Sequence, residues 1–139
     1  MEELNLHPVF VHFPIALFVS AFVFEIVSLA TKKEVFHKTA LNIYVLGAFL
    51  STLAVYTGHD QMEHHGLHHP VMEDHEHFGF AVMWTSLLSL PLMVFIYQKY
   101  PQHSRKVFLV FAFVMAVLVM TTGYYGGRLV YEYAIGVAK

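Results

Sequence analysis

Two pairs of histidines stand where apolar stretches begin: His7 and His12 in His7-Pro8-Val9-Phe10-Val11-His12-Phe13-Pro14, and His75 and His77 in Asp74-His75-Glu76-His77-Phe78-Gly79. Imidazole ligates haem iron, copper, zinc and nickel, and its charge changes readily near neutrality. Two imidazoles on facing helices can take both axial positions of a b-type haem. On a continuous helix His7 and His12 project about 140° apart, so they do not easily bind one ion together, and His75 and His77 project about 200° apart, so only one of them faces the bundle interior. His12 lies about a turn inside the apolar run, where its ring needs a partner: an iron, a backbone carbonyl or a Tyr hydroxyl. His7 reads as a cap or interfacial residue. The expected axial pair is His12 with His75 or His77, and His7 is a further cofactor-binding candidate. Gly79, Ala81, Gly123, Gly126 and Gly127 leave room for a flat porphyrin.

A second group, Gly58-His59-Asp60-Gln61-Met62-Glu63-His64-His65-Gly66-Leu67-His68-His69-Pro70, lies between these pairs. His64 with His68, or His65 with His69, has the i,i+4 spacing that brings two imidazoles to one Cu, Zn or Ni ion. Gly66 and Pro70 weaken such a helix, and a solvated histidine-rich loop is the simpler reading. His59 and Asp60 sit at the end of an apolar stretch, where the carboxylate could orient a ligating ring.

The elements that position these residues are membrane spans. The chain has 139 residues, 57% hydrophobic and 13% charged, far below the roughly 25% charged of soluble domains. Residues 9–30, 40–57, 78–97 and 107–130 are each apolar over about the 20 residues that cross hydrocarbon. They predict an all-α integral membrane protein, a single antiparallel four-helix bundle with a histidine-rich loop at 58–77. Pro14 suits a first helical turn, Pro91 a kink, Pro101 a break, and Gly58 a helix-ending position. With no cysteine there is no disulfide, iron–sulfur ligation or covalent haem attachment. The first stretch has no basic leader or Ala-x-Ala site, which favours a retained span over a signal peptide. A formal net charge of -2 gives no reason to expect nucleic acid.

Lys32, Lys33, Lys38, Lys99, Arg105 and Lys106 flank the spans on one side, whereas the 58–77 segment has no Lys or Arg. By the positive-inside rule the protein is a multi-pass protein of the inner or plasma membrane, with both termini and the histidine-rich segment in the periplasm or outside. Glu25 is the sole acidic residue deep in a span. Lacking a second intramembrane carboxylate, it reads as structural.

Two strings are distinctive enough to compare: His7-Pro8-x-x-Val11-His12-Phe13-Pro14-Ile15-Ala16-Leu17, and Gly126-Gly127-x-Leu129-Val130-Tyr131. Together with Gly58, Asp60 and a histidine opening the third span, they resemble the small bacterial membrane proteins grouped as domain of unknown function 2231. The resemblance implies a four-helix membrane module, fused in some relatives to Rieske or c-type cytochrome domains, and so points to electron transfer. Arg128 stands where the family usually has Glu, and Glu132 to Val137 replace a basic, His-containing ending.

Three functions are compatible with these residues: a b-type haem protein carrying electrons near the outer face, a membrane protein that captures Cu, Zn or Ni, and a cofactor-free subunit of a larger complex. The lipid bilayer is the common partner; a redox protein or respiratory complex suits the first and third, and a homo-oligomer is compatible with all. No nucleophile–base pair or paired carboxylates support catalysis.

Overall fold

The computed structural model describes residues 7–65 and 69–135, without the side chains of Gln61, Glu63, His64 and His65. His68 and the C-terminal residues 136–139 lie outside the described residues, as do any metal contacts of His64 and His65. Four helices make up nearly all of it: α1 (His7–Thr31), α2 (Glu34–His65), α3 (Pro70–Lys99) and α4 (Pro101–Tyr131). The fold is the all-α bundle expected, with each helix long and apolar enough to cross a membrane.

The helices overrun the apolar stretches. Hydropathy marks where side chains meet hydrocarbon, whereas a helix continues as long as its backbone bonds do, so polar and histidine-rich residues form its wet end turns. The connection expected at 58–77 shrinks accordingly: residues up to His65 close α2, and α3 opens at Pro70. Gly58 consequently lies well inside α2 instead of ending it. Because α1 begins at His7, Pro8 falls in its first turn and Pro14 inside it. His69 caps α3, its Nδ1 accepting the Val71 N–H at 3.2 Å, with Pro70 at the first helical position, where its missing N–H costs nothing. Lys32, in the left-handed region at φ 57°, reverses the chain between α1 and α2.

Neighbouring helices are α1–α2, α2–α3, α3–α4 and α4–α1. The core is built on Phe18, Tyr44, Phe108, Met115 and Val119, with Ala21, Ala40, Ala48 and Ala112 allowing close helix approach. The Tyr44 ring meets Phe18 and Phe108 edge-on at 5.2 and 5.6 Å. Phe13, Phe49, Trp84, Leu88, Val110, Phe113 and Met120 face outward, while Glu25, Ser28, Ser51, Ser86 and Ser89 are buried. Apolar outside and polar inside is the distribution a bilayer favours. Between α2 and α3 the Tyr44 hydroxyl bonds Ser89 Oγ at 2.8 Å, and Ser51 Oγ bonds Ser86 Oγ at 3.4 Å.

Buried positions recur at a constant interval of 68 residues. Pro14, Phe18 and Ala21 of α1 correspond to Val82, Ser86 and Ser89 of α3; Ala40, Tyr44, Gly47, Ala48 and Ser51 of α2 correspond to Phe108, Ala112, Met115, Ala116 and Val119 of α4. The α1–α2 and α3–α4 hairpins are thus two like units related by a pseudo-two-fold axis along the bundle. Large side chains in one hairpin answer small ones in the other: Phe18 and Ser86, Tyr44 and Ala112, Phe108 and Ala40. Two large groups at equivalent positions would compete for the same interior space.

Candidate functional site

His7 and His75 meet inside one end of the bundle. The His7 Nδ1–H donates to the Ala54 carbonyl of α2 at 2.9 Å, with Thr57 Oγ1 at 3.4 Å. The His75 Nδ1–H donates to the Thr122 carbonyl of α4, also at 2.9 Å. Donor and acceptor are 47 residues apart in both cases. A carbonyl only accepts, so Nδ1 carries the proton in each ring, and in the neutral form the lone pair is on Nε2. The ring centroids are 6.1 Å apart and the ring planes 82° apart.

Each ring lies against a glycine one turn beyond its carbonyl partner. A β-carbon at Gly58 would stand 2.7 Å from His7 Cε1, and one at Gly126 would stand 3.0 Å from His75 Cε1. The two half-sites therefore repeat the same construction: histidine on the odd-numbered helix, carbonyl and glycine on the even-numbered one. Gly58→Ala should push the His7 ring out of place. Overpacking of this kind costs about 1–3 kcal/mol, which outweighs the ~1 kcal/mol that alanine gains over glycine within a helix. Thermal unfolding of the purified variant in detergent measures the balance, and Gly126→Ala, with the wider gap, should lose less.

The inward-facing histidine of α1 is thus His7 and not His12. The His12 side chain is exposed, its Nδ1 bonding the Pro8 carbonyl of its own helix. The reason is phase: His7 lies seven residues, nearly two full turns, before the buried Pro14 and so shares the inward face of α1, whereas His12 lies two residues, about 200°, before it and faces outward. On α3, His75 faces inward and His77 outward. The structure brings together neither His12 with His75 nor His12 with His77.

The other histidines do different work. His59 Nδ1 lies 2.8 Å from Glu76 Oε1, an exposed link between α2 and α3, and its neighbour Asp60 is exposed. His69, besides capping α3, packs its ring 4.3 Å from that of Tyr133. Among the described residues no three His, Asp or Glu side chains converge as a metal-binding group. Arg128 pairs with Glu132 at 2.8 Å and reaches the Tyr133 hydroxyl at 3.2 Å.

At the opposite end Glu25 is fully buried and has partners the sequence reading did not give it. His37 Nδ1 lies 2.6 Å from its Oε2, and Arg105 Nε donates to its Oε1 at 3.1 Å. Both partners lie in segments expected to be connections, which the extended helices draw inside the bundle. The signal that could have found them is the 68-residue interval, which relates His37 to Arg105 as it relates His7 to His75.

Residues 3–139 match the family described as a predicted membrane protein, DUF2231. The chain belongs to this family. Comparison with curated proteins and with solved structures gives no match. The DUF2231 assignment covers all four helices and both half-sites, so the paired histidines lie within the family's domain and not in an appended segment.

Proposed function

We propose that His7 and His75 are the axial ligands of a b-type haem and that the protein carries electrons across or along the membrane face where they lie. The observation that carries this reading is the pair of Nδ1-anchored imidazoles 6.1 Å apart between centroids. Two metal–nitrogen bonds of about 2.0–2.1 Å, with ring centres roughly 1.1 Å beyond each nitrogen, give about 6.3 Å for two rings facing one metal. The backbone carbonyls hold the rings in the tautomer that ligation needs, as outer-sphere acceptors do for metal-bound histidine generally. Of the glycines at this level, Gly127 faces open space, with nothing within 4 Å of a β-carbon placed there, whereas Gly79 and Gly123 are packed by Val55 and Ile15 at 3.8 Å, side chains that a flat ring would have to displace. A bis-histidine haem supplies one-electron chemistry with no open coordination position.

The six basic residues at the Glu25 end orient that end to the cytoplasm and the histidine pair to the periplasm or exterior. A redox protein or a larger respiratory complex docking at the outer face would then be the electron partner.

Visible spectra of the full-length protein purified from haem-replete cells test the reading. Soret and α bands that sharpen on dithionite reduction are expected. The 82° ring geometry further predicts a strongly anisotropic low-spin ferric signal in electron paramagnetic resonance, unlike that of parallel rings. A colourless protein overturns the haem, and stoichiometric Cu, Zn or Ni in that protein would assign the pair to a bare ion.

A further inference from the structure

The Glu25 end contains a charged group that plays no part in the histidine pair. Besides Glu25, Arg105 reaches Glu34 Oε1 at 3.0 Å and donates to Ser28 Oγ, whose hydroxyl donates to the Lys33 carbonyl at 3.0 Å. His37 and Arg105, equivalent positions of the two hairpins, converge on a single carboxylate at the axis. The second hairpin supplies no matching acid, because Met93 and Gln102 stand at the positions corresponding to Glu25 and Glu34.

Arginine keeps its charge in proteins, so Glu25, Glu34 and Arg105 together leave one negative charge uncompensated. The fully buried Glu25 shares its one fixed cation, Arg105, with the 64% exposed Glu34, and a second positive charge beside a buried carboxylate completes its compensation. His37 Nδ1 and Glu25 Oε2 are in close hydrogen-bond contact at 2.6 Å, which places the imidazole directly against the buried carboxylate.

We propose that this cluster is a proton-binding site: His37 takes one proton from the aqueous phase at this end and holds it against the ionised Glu25. The His37 side chain is 17% exposed and that of Glu25 0%, so the imidazole is the port and the carboxylate the anchor. The charged groups around it are Glu25 from α1, Glu34 from the start of α2 and Arg105 from α4, with the Phe108 ring edge-on to the imidazole at 5.5 Å. Among the described residues α3 sends no charged side chain here, Lys99 lying over the Phe95 and Tyr100 rings. Lys32, Lys33 and Lys38 are exposed around the same end. With the proton bound the group is neutral; without it the group carries the unbalanced negative charge that pulls protons in.

The test is nitrogen-15 histidine resonance of the full-length protein in lipid nanodiscs at pH 7, with His37→Gln identifying the His37 signals. Two protonated ring nitrogens on His37 are expected, one of them losing its proton in Glu25→Gln, and an alkaline jump should release one proton per chain fewer from His37→Gln than from the native protein. A singly protonated His37 in the native protein overturns the proposal without recourse to any variant, and so does a doubly protonated ring that Glu25→Gln leaves unchanged. His7→Ala and His75→Ala should leave these signals in place, so the two sites fail or stand separately.

Discussion

His7→Ala and His75→Ala should each abolish haem retention, and the two variants should behave alike. Each ring is held by one carbonyl and backed by one glycine; His7 adds Thr57 Oγ1 at 3.4 Å and sits closer to its glycine, but in the proposed haem site both rings would have the same part. Loss of an orienting partner alone typically lowers metal-site affinity ~10–100-fold; loss of the ligand itself should exceed that and leave the purified protein without α-band absorbance. His12→Ala and His77→Ala, whose side chains are exposed, should keep the native spectrum. Pyridine haemochrome quantification of the four variants side by side makes the comparison. Loss of haem in His12→Ala with retention in His7→Ala would return the ligand to His12.

Arg105→Met should be the most destabilising single change at the other end. It removes one of two donors to a fully buried carboxylate and frees Glu34 as well. Breaking a buried ion pair by deleting one partner costs about 3–5 kcal/mol, and the partial exposure of Arg105 puts the expected loss near 3 kcal/mol. Removing the carboxylate instead should cost less, because in Glu25→Gln the guanidinium keeps Glu34 and Ser28 and stays partly in water. Unfolding midpoints in one detergent, measured for both variants, test the order. A smaller loss for Arg105→Met than for Glu25→Gln would mean that the buried carboxylate is not the group at risk.

The four helices were legible because four apolar stretches of spanning length leave little else for the chain to be. Their ends were not, since polar residues at a membrane surface extend a helix without any hydropathic mark. That single shortfall accounts for most of what the sequence missed. It set α1 to begin after His7, and so favoured His12 over the ring that turns inward. It also placed His37 and Arg105 in connections, and so left Glu25 without partners. Helical geometry had already ruled out His7 and His12 as joint ligands of one ion and allowed only one of His75 and His77 to face the interior; which rings turned inward depended on helix phase and on neighbours that only the packed bundle supplies. Gly126 was legible as a place of close approach, but the purpose of Gly58 was hidden until the ring against it was seen.

The unlike halves of the core also settle what each hairpin can pair with. Two copies of the first hairpin, arranged about the same axis, would set Tyr44 against Ala21 where it now meets Ser89, burying its hydroxyl with no partner, and Ser51 against Phe18 where it now meets Ser86. Two copies of the second would oppose Ala112 to Ser89 and Val119 to Ser86, leaving space unfilled where the Tyr44 ring now lies. A buried hydroxyl without a partner costs about 1–3 kcal/mol, and an unfilled core site costs more as its volume grows. Neither hairpin is therefore a good mate for its own kind, and exchange of hairpins between chains succeeds only if first meets second. The outer histidines are consequently matched one from each half, and a chain carries both members of the pair without borrowing from a neighbour.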